Sequence, residues 1–235
     1  MSEYIRISTL DGSFSAYMAR PEARPAPVIV VLHEVFGVNS DMRATCHELA
    51  DRGYIAVCPD LFWRQEPGLD LSHWTDAEWK KGLELYNAYN LETGVSDIAD
   101  TIAAARDFDG ASGKVGVMGF CLGGLLTFLT AARCNADFGV AYYPGSAENH
   151  LEEATAVSIP MMVHLGEEDE FISKDAQQKI KDAFASNSEV KIFSYPGCSH
   201  AFARHTGVHY DPSAAEIANE RTWEFFDQRI LDAHE

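Results

Sequence analysis

The sequence predicts an α/β fold, a mainly parallel sheet flanked by helices on both faces. Three observations carry that reading. Short apolar runs alternate with longer helix-forming segments along most of the 235 residues, as in chained βαβ units. The run Val28-Ile29-Val30-Val31-Leu32 is continuous and largely β-branched, which suits a strand buried on both faces. Finally, an apolar run ending at Gly119 is separated by Gly-x-Cys-x-Gly from a helix-forming stretch that begins just after Gly123. That is the strand–sharp turn–helix pattern of a nucleophile elbow, with cysteine where serine is usual.

Taken in order, residues 4–10 and 14–20 read as two strands turned at Asp11-Gly12. Residues 21–27 form a Pro-rich connector into the Val28-to-Leu32 strand, which exits into the loop His33-Glu34-Val35-Phe36-Gly37-Val38. Ser40 or Asp41 can cap a helix that stops at Gly53. A strand over 54–58 closes at Pro59-Asp60, and 61–72 is an aromatic loop with Pro67 and Gly68. Thr75-Asp76-Ala77-Glu78 is a capping box for a helix reaching about residue 89, and a second helix covers about 95–108. After the elbow come strands over 138–143 and 161–165, a helix over 174–185 and a strand over 190–195. Asp211-Pro212 opens a last helix to about residue 231. No repeat or linker interrupts the chain, so one domain, 1–235, is expected.

Composition narrows the function. Hydrophobic residues make up 46% and charged residues 23%, as in ordinary globular proteins. Eighteen basic against 36 acidic residues give a net charge of −18, which repels nucleic acid and anionic membranes. An anionic substrate must therefore meet a local cation. Five cysteines without a C-x-x-C pair argue against a disulfide framework. The first residues lack an apolar signal core, and no stretch approaches a membrane span of ~20 apolar residues. A cytoplasmic protein is expected, a monomer more readily than an oligomer.

In open α/β sheets, ligands collect at the carboxyl ends of strands. Four loops qualify there: the one with Glu34, the elbow with Cys121, Gly166-Glu167-Glu168-Asp169-Glu170, and Gly197-Cys198-Ser199-His200-Ala201-Phe202. Cys121, Asp169 and His200 follow the order nucleophile, acid, histidine of a hydrolase triad. His200 would handle the thiol proton and Asp169 would fix the ring's tautomer. Rivals exist for each: His164 and His205 for the histidine, the neighbouring glutamates for the acid, Cys198 for the thiol. His205 and His209 stand four apart without a third ligand, a weak zinc signal, and no phosphate-binding glycine signature occurs. Neither a metal nor another cofactor is expected.

Five motifs together resemble the dienelactone hydrolase (carboxymethylenebutenolidase) family of the α/β-hydrolase superfamily. They are His33-Glu34-Val35-Phe36-Gly37, Gly53-Tyr54-Ile55-Ala56-Val57-Cys58-Pro59-Asp60-Leu61, Gly119-Phe120-Cys121-Leu122-Gly123-Gly124, Gly166-x-x-Asp169 and His200-Ala201-Phe202-Ala203-Arg204. The similarity extends over nearly the whole chain, to Asn219-Glu220-Arg221-Thr222. The resemblance implies a Cys121–His200–Asp169 triad, with Glu34 taking the thiol proton as substrate binds. The oxyanion would be held by the backbone N–H of Leu122 and a second N–H, that of Val35. The family's substrate carries a carboxylate bound by two arginines. Arg204 matches one; at the other, in the 75–89 helix, this chain offers Trp79 with Lys80 and Lys81. Lysine lacks the bidentate fork, so the swap is not conservative. Trp79 can instead line an apolar pocket with Phe36, Tyr86 and Phe202, although core packing accounts for such aromatics equally well. The resemblance implies opening of a dienelactone to maleylacetate through a thioester. The same chemistry on another ester or lactone, or a non-enzymatic thiol sensor, are the alternatives.

Overall fold

The computed structural model describes residues 1–231, and the chain divides into two compact units, Met1–Val117 and Met118–Glu235. In the first, β1 (Ser2–Thr9) and β2 (Gly12–Ala19) form the predicted hairpin, with Thr9 opposite Gly12. Both strands begin two residues earlier than the apolar alternation suggested, because Ser2 and Glu3 pair with Ala19 and Met18 through backbone alone. β3 (Ala26–Leu32) likewise begins inside the predicted connector and is buried except at Pro27. It runs parallel to the fully buried β4 (Ile55–Pro59), with Val28 opposite Ile55, and β4 pairs antiparallel with β2.

The first-unit helices follow their end signals with small shifts. α1 (Ser40–Asp51) is capped by Asn39, whose side-chain oxygen accepts from Met42 N at 3.1 Å, one residue before the expected caps. Its far end carries the paired bonds of a glycine-terminated helix, Gly53 N to Ala50 O and Tyr54 N to Leu49 O, both 3.0 Å. α2 (Asp76–Asn87) is capped by Thr75 as predicted. The returning arm of the capping box differs, since the Glu78 carboxylate accepts from Ser72 N (2.8 Å) and Thr75 Oγ1 (2.7 Å). α3 (Leu91–Arg106) starts a turn earlier than expected, because Asn90 caps it ahead of the stripe Val95, Ile98, Ile102 and Ala105. β5 (Ala111–Phe120) then carries the chain into the second unit.

There α4 (Leu122–Arg133) is buried at every position from Leu122 to Ala131, so it packs as a central helix rather than an amphipathic one. β6 (Phe138–Tyr142), β7 (Met161–Gly166) and β8 (Val190–Tyr195) run parallel. Two short 3-10 helices, Ala147–Asn149 and Leu151–Ala156, were too brief to leave a periodic signal. Ser173 caps α5 (Lys174–Phe184), and Asp211 caps α6 (Pro212–Leu231) by accepting from Ser213 N and Ala214 N. Strand order in the mostly parallel eight-stranded sheet is β1-β2-β4-β3-β5-β6-β7-β8.

The Asn219-to-Thr222 motif turns out to anchor α6. Thr222 Oγ1 meets Tyr142 OH at 2.7 Å and His164 Nε2 at 3.0 Å, and Asn219 Oδ1 lies 2.9 Å from the same Tyr142 hydroxyl. The Arg221 guanidinium stacks 4.3 Å from the Phe193 ring and donates to Tyr195 OH at 3.1 Å. No helix among the described residues is long and apolar enough to cross a membrane.

Candidate active site

Cys121 is the single residue between β5 and α4, at φ 54° and ψ −113°. A β-carbon on Gly119 would lie 2.0 Å from Gly123 O, and one on Gly124 would lie 2.5 Å from Tyr142 O. Strand, turn and helix approach so closely that only glycine fits on either side of the cysteine. Cys121 N donates to Tyr142 O at 3.1 Å, which ties the elbow to β6. The first intrahelical bond is Leu125 N to Cys121 O, 3.0 Å. The N–H groups of Leu122, Gly123 and Gly124 therefore precede the helical ladder, and the positive end of the helix dipole lies at the elbow. That arrangement favours negative charge on a sulfur or an oxygen placed there.

The loops after β7 and β8 bring Asp169 and His200, the acid and histidine expected from the sequence, together. Glu168 N donates to Cys198 O at 2.9 Å, joining the two loops. His200 Nδ1 is 2.7 Å from Asp169 Oδ2, while Asp169 Oδ1 accepts from Phe171 N (2.8 Å) and Ile172 N (3.0 Å). Both carboxylate oxygens are thus committed, and the side chain is wholly buried. The imidazole lies between the rings of Tyr143 and Phe171, each with its centroid 4.9 Å away. Phe171 is 51% exposed, an unusual setting for a large apolar ring beside a buried histidine. Burial alone would push the His200 pKa down. Charge on Cys121, present when the sulfur is a thiolate, and the hydrogen bond to Asp169 outweigh it, raising the value to about 10. Among the described residues Nε2 has no hydrogen bond of ordinary geometry, so charge is the main part of its coupling to the sulfur.

The rivals His164, Cys198 and Glu168 sit in other surroundings. His164 is fully buried, bonded to Tyr195 OH (2.8 Å) and Thr222 Oγ1, and burial pushes its pKa down to about 3, so it is a neutral core histidine. Cys198 is buried, and burial pushes its thiol upward. Glu168 pairs with Lys174 at 2.8 Å on the surface. Arg204 is buried, and Phe202 is fully buried against Tyr143 and Tyr195, with centroids 5.8 and 4.8 Å away.

In the first unit, Glu34 is 4% exposed, directly past the carboxyl end of β3, and Val35 and Phe36 follow it, also buried. Sequence reasoning overlooked what holds this loop. His33 Nε2 accepts from Leu61 N at 3.0 Å, which leaves the proton on Nδ1 to donate to Glu34 O at 2.5 Å. Burial lowers the His33 pKa to about 4, keeping the ring neutral as that pairing requires. Phe36 O accepts from Leu71 N at 2.9 Å, and the Phe36 ring meets Trp79 edge-on at 4.8 Å and His73 at 6.1 Å. Trp79 and Tyr86 are half-buried on α2. Lys80 is 79% exposed and pairs with Glu84 at 4.0 Å, and Lys81 pairs with Glu66. Both lysine charges are thus engaged with acids at the surface.

A mostly parallel sheet with a cysteine at the β5–α4 elbow, and an acid and a histidine after β7 and β8, defines an α/β-hydrolase. Comparison narrows the class. The dienelactone hydrolase family profile matches residues 14–230. A carboxymethylenebutenolidase from Pseudomonas putida is 40% identical over 226 residues, 96% of each chain. Carboxymethylenebutenolidase 1 from Cupriavidus pinatubonensis is 34% identical over 225 residues, 95% of this chain and 96% of that one. A Klebsiella pneumoniae crystal structure, provisionally named a dienelactone hydrolase, superposes with a TM-score of 0.84 at 27% identity, covering 97% of this chain and 98% of the other. The chain belongs to the dienelactone hydrolase family, and it is a hydrolase of esters or lactones.

Proposed function

We propose that the chain opens a dienelactone to maleylacetate through a thioester on Cys121. The observation that carries this reading is the strained elbow cysteine electrostatically coupled to a buried His200–Asp169 pair. In the proposed sequence Glu34 takes the thiol proton, and the thiolate attacks the lactone carbonyl. The backbone N–H groups of Leu122 and Val35 hold the resulting oxyanion. Collapse breaks the ring C–O bond, His200 protonates the departing enolate oxygen, and the acyl group stays on sulfur. Neutral His200 then takes a proton from water, hydroxide adds to the thioester, the thiolate leaves as the acid forms, and Glu34 returns its proton to the sulfur. Every step uses groups of this chain and water, in a monomer working in the cytoplasm.

Arg204 is the proposed partner of the substrate carboxylate, and Phe36, Trp79, Tyr86 and Phe202 would supply apolar wall. Lys80 is the weaker assignment, given its exposure and its pairing with Glu84. That observation favours a second reading in which the same chemistry serves a neutral ester or lactone. The test is kcat/KM for a dienelactone against short neutral aryl esters. The dienelactone reading predicts at least about a tenfold preference, the order of one well-placed charge contact. A preference for neutral esters rules it out and leaves the second reading.

A further inference from the structure

We propose that Glu170 and His209 form a clasp that positions His200, and that this clasp sets the turnover rate. The inference rests on the hydrolase reading above. Glu170 Oε2 accepts from the backbone N–H of His200 at 3.1 Å. His209 Nδ1 lies 3.2 Å from His200 O and 3.1 Å from Glu170 Oε1. The two side chains therefore grip both polar groups of the His200 backbone and each other, closing a ring around the catalytic residue.

The neighbourhood makes such a grip necessary. Ala201, immediately after His200, has φ 61°, a left-handed conformation that disfavours a β-carbon and persists only when its surroundings hold it. The Nδ1–Asp169 bond fixes one edge of the imidazole, whereas the clasp bonds act on the backbone beneath it. His209 also belongs to the segment that carries Arg204, and Asp211 N to Phe202 O (3.0 Å) closes that segment into a loop. Neither clasp residue has a step in the proposed sequence; both act through His200. An error of about 1 Å in a catalytic group lowers rate without weakening ground-state binding.

The experiment compares kcat and KM on the full chain for Glu170→Ala, His209→Ala, the double variant, and the rescue variants Glu170→Gln and His209→Asn. Gln keeps an oxygen for His200 N, and Asn keeps an N–H where Nδ1 stands. Each alanine variant should lower kcat about tenfold with KM within about twofold, and the rescue variants should recover most of the loss. The double variant should fall no further than about the worse single one, since the two share one ring. Alanine variants with wild-type kcat overturn the clasp, as does a loss that Gln and Asn fail to recover. If the wild type turns over no ester or lactone, the hydrolase reading fails separately. The clasp is then judged by the rate at which iodoacetamide alkylates Cys121, followed by peptide mass. The alanine variants must change that rate by about threefold or more and the rescue variants restore it; an unchanged rate overturns the clasp.

Discussion

At Cys121 the backbone angle of φ 54° places a β-carbon where L residues resist it, and the molecule holds it there with close packing on both sides. The elbow puts the cysteine at the start of α4, where the helix dipole and the His200 imidazole both act on it. Of the residues involved, Cys121, Asp169 and His200 were legible because the glycines and the chain order mark them. The residues behind them were not. Tyr143, Phe171 and Glu170 reach His200 across turns, and His33 and Leu61 meet over 28 positions of sequence, which no local pattern encodes. The charge coupling makes a prediction about stability. His200 goes from an ordinary value of 6.5 to about 10 on folding, so the native state holds its proton more tightly. That stabilisation is complete below about pH 6.5 and is lost as pH rises through about 10. Melting temperature should therefore fall between pH 7 and pH 10, and fall less steeply in Cys121→Ala, which lacks the sulfur's charge. Equal slopes in the two proteins would contradict the assigned cause.

At the level of elements, end signals proved stronger guides than periodicity. The Thr75 cap, the Gly53 stop and the Asp211-Pro212 start all stand, because each is a local bond or a local steric rule. The start of α3 and the first residues of β1, β2 and β3 were misjudged, since their pairing or capping continues past the apolar pattern. α4 shows the opposite case. Its unbroken apolar stretch carries no helical stripe, and only its place after the elbow identified it. The elbow itself yields a test of packing. Gly119→Ala must push apart β5 and the Gly123 carbonyl, whereas Gly145 has open space around it. Gly119→Ala should cost at least about 2 kcal/mol, several degrees in melting temperature, and Gly145→Ala should stay within about 0.5 kcal/mol. Similar melting temperatures for the two variants would show that the elbow yields more easily than its geometry implies.

For the molecule as a whole, the fold was readable from the alternation of strand and helix signals together with the β3 run and the elbow, while the substrate was not. A net charge of −18 surrounds a site proposed to receive an anion, with Arg204 as the matched arginine. Salt screens that repulsion, so kcat/KM for an anionic dienelactone should rise between low ionic strength and ~0.15 M, where the screening length is about 8 Å. The same change should leave neutral esters unaffected, and parallel salt curves would argue that substrate charge plays no part in capture. Chemistry at the sulfur underlies every one of these statements, and a single comparison tests it most directly. Ester or lactone turnover is measured for Cys121→Ala beside the wild type, with matched melting curves establishing that both are folded. A fall of about a thousandfold or more is the predicted result. Turnover that survives the loss of the sulfur would contradict the account.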